Sequence, residues 1–193
     1  MNAVRSAGGD TGNIGVGENI VLVGFMGTGK SSIGRRLAKM LGYRFVDTEQ
    51  IITEEAGCSI SEIFQKNGED SFREAETSAL HLLQFAGRQV IATGGGIIDR
   101  PANAGLLRAL GFVVCFTASE EVILERVSRN DKRPLVQTGN PRQTIHRLLE
   151  RRRPIYAKAA HFTIDTSHHS HDEIASAVLD AAGVHFQWPP PVK

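Results

Sequence analysis

The stretch Gly24-Phe25-Met26-Gly27-Thr28-Gly29-Lys30-Ser31 fits the pattern G-x-x-x-x-G-K-[ST], and it stands between an apolar run, Ile20-Val21-Leu22-Val23, and a segment with helical periodicity. A strand that turns through glycines into a helix aims successive backbone N–H groups at one point, an arrangement suited to the oxygens of a polyphosphate. In such a loop Gly27, Thr28 and Gly29 form the cradle, Lys30 reaches the β- and γ-phosphates, and the Ser31 hydroxyl is available to Mg2+. These residues point to a user of nucleoside triphosphates. A plain glycine-rich turn gives no reason for Lys-Ser at the helix entrance, and a dinucleotide-binding loop would need a third glycine where Ser32 stands.

Outward from this loop, strand and helix periods alternate. Apolar runs with strand character recur at residues 20–23, 43–46, 89–92, 112–116 and 161–164. Helical spacing separates them, as in Ile33, Leu37, Met40 and Leu41, or Val122, Ile123 and Val127. The pattern predicts an α/β fold with a mostly parallel sheet wrapped on both faces and ligands at the carboxyl ends of its strands. About forty residues between the second and third runs carry no strand signal. Within them residues 61–64 and 71–85 read as helices, the first capped by Ser59. An insertion that opens where strands end suits an acceptor-binding subdomain, here residues 48–86. Residues 131–142, with Arg133-Pro134 and Gly139-Asn140-Pro141, are polar and turn-rich and read as a mobile lid.

The 193 residues are enough for one compact domain, expected over 20–185 with tails at 1–19 and 186–193, and 41% hydrophobic content supplies a core. Cys58 and Cys115 are too few and too far apart for a disulfide framework or a zinc cluster. A net charge of +1 argues against nucleic acid or a membrane surface as partner. No apolar run approaches a membrane span and no signal peptide pattern opens the chain, so the expected location is the cytoplasm. Charge is uneven, however. Between Arg126 and Arg153 there are nine Lys/Arg against two Asp/Glu, which reads either as a solvated helix face or, beside a phosphate loop, as a basic wall over polyphosphate.

Two further clusters carry chemistry. Asp47-Thr48-Glu49, at the end of the second apolar run, places two carboxylates beside the phosphate site. One can hold a metal shell while the other orients a hydroxyl nucleophile, although helix capping by Asp47 is the simpler role. Gly94-Gly95-Gly96 follows the third run and allows either close backbone approach to a ligand or merely a sharp turn. His168, His169 and His171 lack ligands at metal-binding spacing apart from Asp172 and read as a solvated loop.

Together these residues resemble the shikimate kinase family. The resemblance runs from about Ile20 to Thr166 and rests on Gly24 to Ser31, Asp47-x-Glu49, Phe72-Arg73, Gly94-Gly95-Gly96, Arg133-Pro134-Leu135 and Arg152-x-Pro154-x-Tyr156. It implies a P-loop, nucleoside-monophosphate-kinase-like three-layer fold with a central five-stranded parallel sheet. It also implies transfer of the ATP γ-phosphoryl group to the 3-hydroxyl of shikimate by a cytoplasmic monomer, on the route to chorismate and the aromatic amino acids.

Carried over position by position, the resemblance makes Lys30, Glu49 and Arg133 catalytic. It assigns Gly27 to Ser32, Arg126 and Arg133 to the nucleotide, with Arg126 stacked on adenine near Thr166 and Ser167. Ser31 and Asp47 would hold Mg2+. Glu49, Arg73, Gly94, Gly95, Gly96 and Arg152 would bind shikimate, the two arginines gripping its carboxylate. One departure is Glu49 where the family has Asp, and that changes the reach of the carboxylate by more than an ångström. Two other readings stay open. One is a kinase of another small hydroxy acid, gluconate-like. The other is a non-catalytic relative that only binds ligand, against which Lys30, Ser31, Asp47 and Arg133 speak together.

Overall fold

A computed structural model describes residues 18–129 and 140–188. Five strands form one sheet: β1 (Ile20–Gly24), β2 (Arg44–Asp47), β3 (Gln89–Ala92), β4 (Phe112–Thr117) and β5 (Phe162–Asp165). Their order is β2-β3-β1-β4-β5, and every neighbouring pair is parallel. Each strand lies within a residue or so of its predicted run.

The helices are α1 (Lys30–Leu41), α2 (Thr48–Ala56), α3 (Ile60–Leu83), α4 (Pro101–Leu110), α5 (Glu120–Ser128), α6 (Pro141–Ala159) and α7 (His171–Phe186), with a 3-10 turn at Ile97–Asp99. Alternation along β1 divides the core into two layers. Ile20 and Leu22 pack with Ile33 and Leu37 of α1 and with Ile174 and Val178 of α7, while Val21 and Val23 pack with Leu80 of α3, Leu107 of α4 and Tyr156 of α6. Strands buried on both faces read as continuous apolar runs, which is why β1 and β4 were plain in the sequence.

The predicted insertion is helical. Ser59 caps α3 in a capping box with Glu62, and the helix is broken at Gly68, where φ is 80° and ψ 173°. The break makes two helices of it, close to the two expected. Phe64 and Phe72 meet in a tilted arrangement with ring centroids 4.8 Å apart inside the cluster of α2 and α3, so they pack the insertion against itself. Of the predicted lid, only Asn140, Pro141 and Arg142 are among the described residues. Asn140 caps α6 by accepting from the amides of Arg142 and Gln143, and Pro141 opens the helix. Arg133 lies outside the described residues. Among those described, no helix is long and apolar enough to cross a membrane.

At both edges of the expected domain, described residues pack on the body. Phe186 closes α7, and Trp188 stacks on it while its amide donates to Gly183 O. Asn19 belongs to the body, being 2% exposed. Its Nδ2 donates to Ala86 O (2.9 Å) and Leu110 O (3.0 Å), and its Oδ1 accepts from Gln89 N (2.9 Å). An isolated asparagine before a strand gives no periodic signal; its role is to tie the entrances of β1 and β3 to the end of α4. Asn19→Ala is expected to destabilise the fold by about 2–4 kcal/mol, because it strands buried backbone groups as well as removing the bonds. Urea denaturation of the two proteins measures the difference.

Candidate active site

Gly24 ends β1 at the centre of the sheet, and the chain reaches α1 through residues 25–29 with Gly29 as N-cap in the left-handed region, φ 90°. No side chain caps α1, so the amides of its first turn and its positive dipole end face the space above the loop. Lys30 folds back over the loop, with Nζ donating to Gly24 O (2.8 Å) and Phe25 O (2.9 Å). Arg126 of α5 braces the other side through Nη1 to Gly27 O (3.2 Å) and Nη2 to Thr166 O (2.8 Å), and Thr166 Oγ1 lies 3.0 Å from Thr28 O. A cavity of about 410 Å3 opens there, lined by Gly27, Gly29, Lys30, Ser31, Ser32, Asp47, Glu49, Gly95, Arg126 and the exposed His171. Most of the predicted nucleotide residues therefore surround one space, and Thr28 lies buried beneath it.

The acidic pair projects into the same cavity from the end of β2. Asp47 is the cap foreseen for α2, its Oδ1 accepting from Glu49 N (3.1 Å), and its Oδ2 accepts from Ser31 Oγ (2.9 Å). The serine hydroxyl and that carboxylate are hard oxygen donors side by side, a donor set that fits Mg2+. Thr48, between the two acids, is buried and accepts from Gly94 N (3.2 Å). That bond sets the triple-glycine turn against the base of α2.

Gly94 and Gly96 are required by close approach. A Cβ on Gly94 would fall 2.6 Å from Glu76 Oε1 and 3.2 Å from Glu49 Oε1, and one on Gly96 would fall 2.1 Å from Arg73 Nη1. The turn thus presses on the charged groups it serves. Tyr156 adds a short hydrogen bond from its hydroxyl to Gly95 O.

Arg73 and Arg152 are both nearly buried, and each meets carboxylates of the protein. Arg73 Nη1 pairs with Glu76 (2.7 Å) and Nη2 with Glu69 (2.9 Å), and Arg152 holds Asp99 through Nε (3.0 Å) and Nη2 (2.6 Å). Asp99 also meets Arg151 at 3.1 Å and Arg73 at 3.5 Å. Burial works against its ionisation, yet the hydrogen bonds and charge of Arg152, with Arg151 and Arg73 behind them, hold its carboxyl below the usual range. Glu76 is fully buried, and desolvation outweighs its pairing with Arg73, pushing its carboxyl up to about 7. Neither Glu76 nor Asp99 was singled out from the sequence. Glu76 follows Arg73 by three residues on a helix, a spacing that pairs charges and could have been read; Asp99 carried no such signal. His168, His169 and His171 are exposed around the start of α7.

The chain has relatives among known proteins. The family model described as shikimate kinase matches residues 26–182. A shikimate kinase of Thermodesulfovibrio yellowstonii is 46% identical over 162 residues, covering 84% of this chain and 93% of that relative. Among solved structures, the chain is similar to a shikimate kinase from Acinetobacter baumannii in complex with shikimate, with TM-score 0.81 and 39% identity over 88% of this chain and 93% of that one. It is similar also to the shikimate kinase of Aquifex aeolicus, with TM-score 0.76 and 32% identity over 86% and 98%.

The raised pKa of Glu76 has a measurable consequence. Between about pH 4.5 and pH 7 the folded state keeps a proton on Glu76 that the unfolded state has already lost, so stability from this group is present below that window and falls as pH rises through it. Relative to Glu76→Gln, the parent should lose up to about 3 kcal/mol across the window. Denaturation curves of both proteins at several pH values test this; a constant difference would reject it.

Proposed function

The chain belongs to the shikimate kinase family, and from that premise we propose how its residues carry the family's reaction, the ATP-dependent phosphorylation of shikimate. The observation that supports the assignment is the single cavity that joins Lys30 and Ser31 of the phosphate loop to Glu49 and the triple-glycine turn. A nucleotide γ-phosphate and a hydroxyl acceptor can share that space, with Arg73 against the glycine turn and Arg152 joined to it through Asp99.

In this reading the amides of residues 27–31 hold the phosphates, and Lys30 turns from the carbonyls of Gly24 and Phe25 toward the β- and γ-oxygens. Glu49 accepts a hydrogen bond from the 3-hydroxyl and directs its oxygen in line with the γ-phosphorus. Because phosphoryl transfer passes through a loose transition state, alignment counts for more than basicity. Arg73 and Arg152 receive the carboxylate of the acid, for which a planar fork of donors is the best match. The backbone of Gly94 to Gly96 meets the ring hydroxyls. Arg126 lies against the base, and Arg133 supplies positive charge over the transferring group. Ser31 and Asp47 would hold Mg2+, which when bound neutralises phosphate charge. A monomer in the cytoplasm is the form we infer, as the resemblance implies.

Lys30→Ala should reduce turnover by at least about a thousandfold, as removal of a main electrostatic stabiliser does, while the fold persists by circular dichroism. ADP release coupled to a spectrophotometric readout measures it, and an active, folded variant would refute the assignment. In the same assay Glu49→Asp should retain selectivity for shikimate over quinate and gluconate. Turnover by the parent with gluconate instead would transfer the acceptor to another class.

A further inference from the structure

Asp99 occupies the point at which the acid-binding donors meet. Its Oδ2 lies 2.6 Å from Arg152 Nη2, 3.1 Å from Arg151 Nη2 and 3.5 Å from Arg73 Nη2, while Oδ1 accepts from Arg152 Nε at 3.0 Å. Three guanidinium groups from two helices converge on this one carboxylate, which is 14% exposed and borders a cavity of about 320 Å3 lined also by Arg73 and Arg151. Two buried donors beside it, Arg152 Nη1 and Arg73 Nε, have no hydrogen-bond partner among the described residues. The cluster is thus an anion site already filled from within on one edge and short of acceptors on the other.

We propose that Asp99 is a built-in competitor of the acceptor's carboxylate and sets how tightly this enzyme holds its acid. The inference rests on Arg73 and Arg152 being the carboxylate grip. An incoming carboxylate either takes over the donors that Asp99 holds or binds beside a second anion, and both weaken its binding. Arg73 is further neutralised by Glu69 and Glu76, whereas the described residues give Arg152 no carboxylate but Asp99.

A carboxylate that grips a guanidinium also orients it, an effect that works in the opposite direction. Here orientation has other sources. Arg152 is 1% exposed, rises from the middle of α6 and sits with its guanidinium carbon 5.7 Å from the Phe25 ring centroid, so packing keeps it in place when Asp99 is neutral. Charge is then the larger effect. Asp99 acts as an affinity-setting residue, not as one that meets the transferred phosphoryl group.

The test uses the full chain. Asp99→Asn keeps the shape and one acceptor while removing the charge, and calorimetric titration should show the Kd for shikimate falling roughly three- to tenfold, with KM for shikimate following and the affinity for ATP unaltered. In Asp99→Ala, acetate should enter the vacated place and inhibit competitively against shikimate several-fold more strongly than in the parent. Thermal unfolding of both variants verifies that they are folded, and either one suffices if the other is not. A Kd for shikimate that rises or stays constant in a folded variant, or acetate inhibition no stronger than in the parent, overturns the proposal. Arg73→Ala separates this from failure of the site reading: if it leaves shikimate affinity intact, the carboxylate grip itself is misassigned and both readings fall.

Discussion

The double pairing of β1 governs where everything else can stand. It bonds to β3 over Ile20–Leu22 and to β4 over Ile20–Gly24, so its carboxyl end emerges at the centre of the sheet with a parallel strand on either side. The chain crosses from β1 outward to β2 and later returns to the other flank with β4 and β5. A crevice at the carboxyl ends is the result of that switch of direction. The phosphate loop leaves β1 into it, Asp47 enters it from the end of β2 and Glu49 from the first turn of α2, Gly94 to Gly96 follow β3, and Thr166 follows β5. Anchoring of β1 at its other end by Asn19 belongs to the same constraint, since a slip of one residue would exchange the two core layers.

A second constraint is electrostatic. Burying Arg73 and Arg152 costs several kcal/mol each unless charge and hydrogen bonds offset it. The fold offsets it with Glu69, Glu76 and Asp99, drawn from α3 and from the turn after β3, so the insertion and the sheet are joined by charge as well as by packing. Arg100 adds exposed contacts to Asp70 O and Glu74 on the same seam. The glycines follow from this crowding. Gly96 leaves room for a guanidinium, and Gly94 for two carboxylates that approach each other. That approach helps to explain why Glu76 resists ionisation although it faces an arginine: burial is the main cause, and Glu49 and Asp99 add to it.

Much of this was legible in the sequence because the signals were periodic or local. Buried parallel strands appear as apolar runs, Ser59 with Glu62 marks a helix start, and the phosphate loop is specific by its spacing. The fold and most of the lining of the cavity at the phosphate loop followed from those signals together with the family resemblance. What escaped the reading was long-range and aperiodic. Asn19 joins groups 67 and 91 residues away, Thr48 meets a glycine 46 residues on, and Asp99 meets an arginine 53 residues on. Partners at such separations are set by the sheet's topology, and no window of sequence contains both.

The position of Glu49 shows how the two constraints meet. Asp47 is held by the Ser31 hydroxyl and by the amide of Glu49 itself, and Thr48 is held by Gly94, so the backbone from 47 to 49 is pinned on three sides. The extra methylene of Glu49 therefore cannot be absorbed by sliding β2 back. It must be taken up in the side-chain torsions, and the carboxylate already stands 3.2 Å from where a Cβ on Gly94 would be. In the proposed reading, an acceptor hydroxyl bound by Glu49 is thereby pressed toward the glycine turn, and its ring is set by how far the arginine pair lets the carboxylate retreat. On that reading, reach at Glu49 and charge at Asp99 act on opposite ends of one small acid. A longer reach at one end is tolerable only where the grip at the other is not too tight, and a carboxylate competing for Arg152 provides that slack.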